Sequence, residues 1–355
     1  MLNFIKRNER KISFAAFVAG FVFDWLTVKY MELEEAGLVL GGYLISIAVL
    51  SFIQNYVLAR NIDGKIAKNL ARYAPFIIQF MFGTLFNAAF IFYSESAELY
   101  SSWPFLLFLI FIVISNELLR KRISALDLQL SMLLIATILY FIFATPIVIK
   151  RIDSFAFILA NFLSLLFIIL LMFALRKWAK ERFFEKHIIL MFNTIIIFAG
   201  INFVYFKNII PPIPLVLKNA GLYHSVTKIG NDYKVLYEPS RNKFWSKEDR
   251  VFRTTSRETA YIFTSVFAPS KINLSIYHEW RRYDFKSQKW ILVNKIGYNM
   301  VGGRKDGYRG YTFMRNISPG KWRVYVTDER GRRLGRISFE VRHTESLPVL
   351  EVKTI

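Results

Sequence analysis

The 355-residue sequence contains no cysteine and only four histidines. The chain therefore forms no disulfide, and it has no thiol nucleophile and no thiolate-bound zinc or iron–sulfur site. The lack of cysteine does not decide the redox compartment, because a cysteine-free protein tolerates either one. No two histidines are spaced as metal ligands, so we expect neither a metal site nor a cofactor. The four positions are His187, His224, His278 and His343.

Acidic residues are also few, since 26 Asp and Glu stand against 47 Lys and Arg, which gives a formal net charge of +21. The excess is uneven along the chain. Residues 1–206 hold 19 basic and 13 acidic side chains, whereas residues 207–355 hold 28 and 13. The mean hydropathy of +0.33 and the 54% content of apolar residues are typical of a membrane protein. The C-terminal part is thus the strongly basic one.

Long apolar segments are abundant in the first 206 residues. A helix needs about 20 mostly apolar residues to cross a bilayer core of about 30 Å. We expect the first such segment to be retained as a helix, because no small-residue cleavage site follows it. The sequence therefore predicts a bundle of about seven transmembrane helices. The segments are 12–28, 37–59, 73–93, 102–119, 128–149, 155–175 and 188–206.

Basic residues are concentrated on alternate connections between these segments. The N-terminal segment and the second, fourth and sixth connections carry sixteen Lys and Arg, and the other three connections carry three. The positive-inside rule then predicts that the N-terminus is cytoplasmic. Because the number of spans is odd, the C-terminal part is expected on the outer side of the membrane.

Polar residues inside the spans are mostly amides, for which interhelical hydrogen bonding is the expected role. Asp24 is the one carboxylate well within a span, and an intramembrane ionisable residue is by default a candidate for function. Its position one turn from Lys29, near the outer interface, favours a role in anchoring the helix. Both interpretations of Asp24 stay open.

Proline is scarce, with ten residues in the chain, but three of them fall between positions 211 and 214. They prevent the last helix from continuing and predict a stiff, membrane-proximal linker over 207–221. Beyond the linker, apolar residues alternate with polar ones, which is typical of strands. About seven short strands over 222–345 predict an antiparallel, immunoglobulin-like β-sandwich, followed by a tail over 346–355.

Two of the predicted strands form a hairpin. Alternation over 322–327 and over 337–341 is interrupted by the turn residues DERG at 328–331, so these strands are expected to pair. A third strand, 272–282, places His278 and Trp280 on its apolar face.

His278 is a candidate general base with Glu279 beside it, but a strand puts Glu279 on the opposite face. We therefore favour a packed, hydrogen-bonded histidine. His278 and Trp280 are kept as a second candidate site.

The stretch GGRKDGYRGY, residues 302–311, resembles a phosphate-binding loop in composition. Such a loop follows a strand and opens a helix, whereas both flanks here are β-like. The glycines are better explained as left-handed turn positions between two strands. The basic and aromatic side chains then form either a solvated turn or a surface for an anionic or sugar partner. They are Arg304, Lys305, Tyr308, Arg309 and Tyr311.

Several motifs of the C-terminal part together resemble a bacterial family of uncharacterised, multi-span inner-membrane proteins. Their C-terminal module is a domain of unknown function, and the resemblance covers residues 209–342. It implies an envelope location and a β domain, and it implies no activity and no catalytic residues. The matching stretches are IPPIPLVLKNAGLYHSV (210–226), SVFAP (265–269), IYHEW (276–280), GGRKDGYRGYT (302–312), GKWRVYV (320–326) and LGRISFEV (334–341).

These observations favour a non-enzymatic inner-membrane protein with a basic β-sandwich in the periplasm. Its expected partners are anionic lipid head groups, acidic envelope glycans or another envelope protein. The alternative is a transporter or lipid-handling bundle with an accessory domain, although no Gly/Pro-broken helix pair marks a substrate site.

A membrane-bound hydrolase or transferase would have to use His278, Glu279, Asp284 or Asp24. Their spacing supports no catalytic dyad. Nucleic-acid binding, which the basic composition alone would suggest, is disfavoured because the basic part is expected outside the cytoplasm.

Overall fold

The chain divides into two compact units in the computed structural model. The helical unit comprises residues 1–95, 102–149 and 153–210, and the β unit comprises 96–101, 150–152 and 211–355. The structure describes residues 22, 24–26, 33–96, 99–119, 122, 125–211, 214–239, 250–255, 258–268, 272–302, 307–346 and 348–355.

Helices are found over six of the seven predicted apolar segments. The first segment, 12–28, lies mostly outside the described residues, of which Val22 and Asp24–Leu26 are helical. Five helices are long and apolar enough to cross a membrane, and the apolar part of α3 is shorter. These helices indicate a membrane protein. They are α1 (Leu33–Arg60), α2 (Lys65–Glu95), α3 (Leu99–Leu118), α4 (Leu126–Ile149), α5 (Ser154–Trp178) and α6 (Lys180–Phe206).

Buried amides join the helices, as expected for polar groups in a bundle. Gln129 of α4 donates from Nε2 to Oε1 of Gln54 at 2.8 Å, and its own Oε1 accepts from Ser51 Oγ at 2.7 Å. Arg182 of α6 donates from Nε to Oδ1 of Asn55 at 3.1 Å. Because hydrocarbon offers no competing hydrogen bonds, such contacts fix which helix faces meet.

The described part of the β unit contains eleven strands, and three of them correspond to the predicted strands 272–282, 322–327 and 337–341. They are β1 (Val216–Tyr223), β2 (Ser225–Ile229), β3 (Asp232–Tyr237), β4 (Val251–Thr254), β5 (Ala260–Phe267), β6 (Asn273–Asp284), β7 (Lys289–Val301), β8 (Tyr308–Met314), β9 (Gly320–Thr327), β10 (Arg333–His343) and β11 (Glu351–Thr354). The sheet orders are β1-β5-β8, β4-β10-β9-β6-β7 and β11-β3-β2. The predicted hairpin is confirmed, because β9 and β10 pair antiparallel.

The three sheets form three layers, where the sequence predicted a two-sheet sandwich. Ile262 of β5 packs with Trp280, Trp322 and neighbouring side chains of the five-stranded sheet. The next residue, Phe263, packs on the opposite side against Val235 of β3. Alternate residues of β5 thus face different sheets, and the sheet β1-β5-β8 is the middle layer.

Three details differ from the predicted sandwich and its boundaries. β1 begins at Val216, inside the segment predicted as a linker, and β11 lies in the segment predicted as a tail. β4 pairs with β10 in parallel, so the sheets are not wholly antiparallel. β4 and β11 have four residues each, which is too few to display an alternating pattern.

Candidate functional site

The glycine-rich turn connects two strands, as predicted. Gly302 donates its N–H to the carbonyl of Ile272 at 2.8 Å, and Gly307 has the left-handed φ of +85°. β8 begins at the next residue. Arg304 and Lys305, two of the candidate ligand-binding residues, lie outside the described residues.

The other three candidates from this stretch lie on β8, which separates them. Tyr308 packs toward the five-stranded sheet and stacks on Tyr298 with ring centroids 6.4 Å apart. Arg309 and Tyr311 are on the opposite face. Tyr311 is 38% exposed and contacts the ring of Tyr233. The structure therefore does not bring Tyr308 together with the other two.

Arg309 is engaged in contacts within the β unit. Its Nη1 lies 2.9 Å from Oδ1 of Asp232 and also donates to the carbonyls of Asn231 and Ile355 at 3.2 and 3.3 Å. These contacts link β8 to the turn between β2 and β3 and to the residue after β11. The guanidinium thus joins the middle layer to the third sheet.

His278 and Trp280 lie in the interior, both 0% exposed. His278 Nε2 is 3.0 Å from Thr264 Oγ1, and its Nδ1 is 2.8 Å from Thr312 Oγ1. Trp280 Nε1 donates to the same Thr312 oxygen at 3.1 Å. Thr264 Oγ1 is also 2.7 Å from the Tyr298 hydroxyl.

These contacts satisfy every polar atom of a neutral His278. If Thr312 donates its hydroxyl proton to Nδ1, then Nε2–H donates to Thr264, and the chain continues to Tyr298. Burial lowers the pKa of His278 to about 3. It also raises the pKa of the Tyr298 hydroxyl above its ordinary value. The second candidate site is thus a satisfied polar network inside the β unit, closed to a ligand.

A buried ionic cluster lies near the end of β3. His224 Nε2 is 3.0 Å from Glu238 Oε1, and its Nδ1 is 3.5 Å from Glu258 Oε2. Arg253 pairs with Glu238, and the His224 ring stacks on Phe252 at 4.1 Å. These side chains are hydrogen-bonded and ion-paired with one another. Among the described residues, no group of three or more His, Asp or Glu is arranged to hold a metal.

The outer face of the five-stranded sheet interleaves basic and aromatic side chains. The Arg333 guanidinium carbon lies 4.0 Å from the Tyr325 ring centroid, and the Lys295 ammonium lies 4.7 Å from that of Tyr277. Glu279 is an acidic side chain on the same surface, 2.8 Å from Arg281 and 3.5 Å from Lys295. We call this surface the basic–aromatic face, and it consists of Tyr277, Arg281, Trp290, Lys295, Arg323, Tyr325 and Arg333.

Arg281 and Arg323 occupy the centre of the basic–aromatic face. The register of β6 and β9 pairs them directly. Arg323 lies with its guanidinium carbon 4.0 Å from the Trp290 ring centroid and donates from Nη1 to the Tyr325 hydroxyl at 3.2 Å. The Nε atoms of both arginines are buried and have no hydrogen-bond partner within the described part of the chain.

This arrangement is suited to an anion. Like charges directly opposite in a sheet are destabilising, and a buried N–H without an acceptor costs about 1–3 kcal/mol. A phosphate or carboxylate bound beside the two guanidinium groups would relieve the repulsion between them. The pair is therefore the candidate anion site among the residues that the structure describes.

Sequence reasoning identified only part of this site. Alternation along β6 placed Tyr277, Glu279 and Arg281 on one outward face. It did not identify Arg323 as the neighbour of Arg281, because the two belong to strands that are not consecutive in the chain. The similar stretches EWRRY and KWRVY each place an arginine on the outward face of a strand. Only the pairing of β6 with β9 shows that these two arginines are neighbours.

The remaining candidate, Asp24, belongs to the helical unit. Its Oδ2 accepts a hydrogen bond from Nδ2 of Asn87 in α2 at 2.8 Å. The contact joins the helical residues around Asp24 to α2. It also places a carboxylate beside a buried amide.

Comparison with known proteins supports the domain and leaves its activity open. A family described as Protein of unknown function (DUF2914) matches residues 273–341, which contain β6 to β9, most of β10 and the Arg281–Arg323 pair. The predicted resemblance to a domain of unknown function thus holds over that range. No curated protein matches the chain.

Among the solved structures that match is one with a low TM-score. It is the Pseudomonas fluorescens alkylpurine DNA glycosylase AlkC bound to DNA containing an abasic site analog. The identity is 9%, the coverage is 88% of this chain and 100% of that chain, and the TM-score is 0.20. A TM-score of this size supports no shared fold.

Proposed function

We propose that this protein is an integral protein of the bacterial inner membrane whose β unit lies in the periplasm and binds an anionic envelope component without catalysing a reaction. The Arg281–Arg323 pair is the observation that carries the proposal. Two guanidinium groups on directly paired strand residues offer charge-assisted hydrogen bonds to a phosphate or a carboxylate.

The surroundings of the pair strengthen this assignment. Trp290 and Tyr325 flank the arginines, so aromatic surface lies beside the charged centre. Arginine and aromatic residues are enriched at binding surfaces. The residues from 207 to 355 carry 28 basic and 13 acidic side chains, which attracts anions over a longer range. Both acidic glycans and anionic lipid head groups fit this chemistry.

The proposed location follows from the loops. Sixteen basic residues lie on the set of connections assigned to the cytoplasm, and three on the other set. The β unit is then on the side of the membrane that holds the envelope polymers, away from nucleic acid.

Binding measurements on the intact protein test the proposal. Protein in neutral nanodiscs would be titrated with an acidic polysaccharide, and separately with vesicles of phosphatidylcholine that contain or lack phosphatidylglycerol. We expect the double variant Arg281→Gln/Arg323→Gln to bind at least about tenfold more weakly, since each lost charge-assisted bond is worth about 1.5–3 kcal/mol.

The matched control removes two charges elsewhere in the same sheet. Lys289 and Arg342 are exposed strand residues, so Lys289→Gln/Arg342→Gln changes the net charge equally. We expect it to weaken binding by less than about threefold, because exposed charges act mainly through screened long-range attraction. Equal weakening by both variants, or no binding by the wild-type protein, would contradict a site at the arginine pair.

A lipid-handling role for the helical unit is the alternative proposal, and one observation favours it. A cavity of about 340 Å³ lies between α3, α4 and α6 and is lined by Phe108, Ile135, Val204 and other apolar side chains. Its lining matches an acyl chain. Lipid scrambling by reconstituted protein, measured with fluorescent phospholipids, tests this role, and Gly200→Phe should abolish the activity by filling the cavity.

A further inference from the structure

A line of polar side chains runs along one face of α2. Gln79, Gly83 and Asn87 are spaced by four residues, so they lie on the same side of the helix and span about 12 Å. Asn87 donates to Asp24 at its outer end. Gln79 lies 3.5 Å from Oε2 of Glu117, near the end of α3. A carboxylate therefore stands at each end of the line.

Asn116 of α3 fills the middle of this line. Its Nδ2 donates to the carbonyl of Gln79 at 3.2 Å. The same Nδ2 lies 3.5 Å from the position that a Cβ on Gly83 would occupy. Gly83 is one turn from Asn87, so Asn116 packs against α2 one turn away from Asn87.

Both asparagines have an acceptor that is not used. Asn87 and Asn116 are each 5% exposed. Within the described residues, Oδ1 of each accepts no hydrogen bond. In both residues the side-chain nitrogen, Nδ2, already donates a hydrogen bond. The oxygen is therefore the atom left to accept one. Two orphan carbonyl oxygens in the interior of a membrane unit are costly, because no solvent is at hand to satisfy them.

We propose that Asp24, Asn87 and Asn116 bind a monovalent alkali cation, with Na⁺ as the best fit, inside the helical unit. Hard cations prefer carboxylate and carbonyl oxygens, and these residues supply both. One carboxylate with neutral amide oxygens matches a single positive charge. A water molecule would satisfy the amide oxygens too, but the carboxylate bonded to Asn87 makes a cation the better match.

The inference goes beyond the proposed function, because it concerns the helical unit and a ligand of opposite charge. It adds a cation-binding activity to helices that are joined elsewhere by polar side chains. Intramembrane ionisable residues commonly mark ion sites. The second carboxylate, Glu117, lies at the other end of the line, where a cation would leave or enter.

The test is binding of ²²Na⁺ to the purified full-length protein in detergent, with thermal stability measured in NaCl and in choline chloride of equal ionic strength. We expect saturable ²²Na⁺ binding and a higher melting temperature in NaCl. Asn87→Leu and Asn116→Leu each remove one orphan oxygen at similar size, and each should weaken Na⁺ binding at least tenfold.

The matched control is Asn193→Leu, which removes an amide from α6 that donates to Ser131 Oγ at 2.9 Å. It should keep the Na⁺ affinity of the wild-type protein. The proposal is overturned if folded wild-type protein binds no ²²Na⁺, or if choline chloride stabilises it as well as NaCl does. It is also overturned if the Asn87 and Asn116 variants bind like Asn193→Leu. Should one of them not fold, the other and the wild-type result still decide.

Discussion

Arg281 of β6 and Arg323 of β9 are directly opposed in an antiparallel pair, and each holds a buried Nε–H without an acceptor in the described residues. Glu279 and the ring of Trp290 each contact one of them, which offsets part of the repulsion. A sheet that needed only solubility would place opposite charges at these two positions. This pairing of like charges is the basis of the proposed anion site.

Bound anions should stabilise the β unit. A polyphosphate that binds the folded state at a hundred times its dissociation constant adds about 2.7 kcal/mol to the free energy of unfolding. We expect residues 211–355, expressed alone, to melt at a higher temperature in pyrophosphate than in chloride of equal ionic strength. In Arg281→Gln/Arg323→Gln the difference should disappear. An equal increase in both proteins would show a general salt effect.

Acid should destabilise the fold through His278. Its pKa is about 3 in the folded protein because the ring is buried, against about 6.5 when unfolded. Between these values only the unfolded state binds the proton, so stability falls as the pH is lowered. The slope is up to about 1.4 kcal/mol per pH unit, and the contribution is complete above pH 6.5.

Denaturant unfolding of the β unit between pH 6.5 and 4 measures this slope. His278→Gln keeps a donor and an acceptor between Thr264 and Thr312 but does not titrate. Its stability should therefore vary less steeply with pH than that of the wild-type protein. Identical slopes would show that other groups account for the acid sensitivity.

Gly307 should not tolerate a side chain. Its φ is +85°, and an added Cβ would lie 2.5 Å from Ser265 Oγ and 3.0 Å from the carbonyl carbon of Val266. We expect Gly307→Asn to destabilise the β unit by more than about 1 kcal/mol. Gly230 is the matched control, because its φ is +61° and no atom lies within 4 Å of its added Cβ. Gly230→Asn should change the melting temperature little, since asparagine adopts this conformation readily.

Trp322 is a core residue and should behave as one. It is 3% exposed, packs in the cluster that contains Trp280, and donates from Nε1 to the carbonyl of Ser318 at 2.8 Å. Replacement by alanine should cost about 3–5 kcal/mol. Trp290 lies on the outer face and is the control, since its replacement should cost less. Similar melting temperatures for the wild-type protein and the Trp322 variant would contradict this.

The proposed orientation has a direct test. Alkaline phosphatase fused after Ile355 should be active, and a fluorescent protein that folds only in the cytoplasm should stay dark there. The expectation rests on the unequal loops, sixteen basic residues against three. A fluorescent fusion at this position would reverse the assignment of the two sides.

Local patterns accounted for most of the fold. Apolar length predicted α1 to α6, and alternation predicted β6, β9 and β10, because both are properties of neighbouring residues. The prolines at 211–214 correctly predicted the end of the last helix. The first strand begins at Val216, however, inside the predicted linker of 207–221. β4 and β11 were not predicted, because four residues are too few to show an alternating pattern. The third layer, which contains β11, was not predicted either.

The site was less predictable, because it depends on which strands meet. Arg309 was considered as an anion ligand, yet Asp232, far away in the chain, is its partner. The partners of His278 come from β5 and β8. In both cases the partner lies far away in the sequence. Composition near Arg309 therefore could not show whether its guanidinium is solvated or paired.

The strand pair β3–β11 has a consequence for the synthesis of the protein. The Tyr237 hydroxyl donates to Glu351 across 114 residues of sequence. Pairing between strands so distant in sequence forms slowly. The edge of β3 that pairs with β11 is therefore unpaired while the intervening strands are synthesised. An open edge invites pairing with other chains. When β11 pairs with β3, this edge is covered, and Arg309 hydrogen-bonds Ile355, the residue after β11. The sheet β11-β3-β2 is therefore completed only after all the other strands have been synthesised.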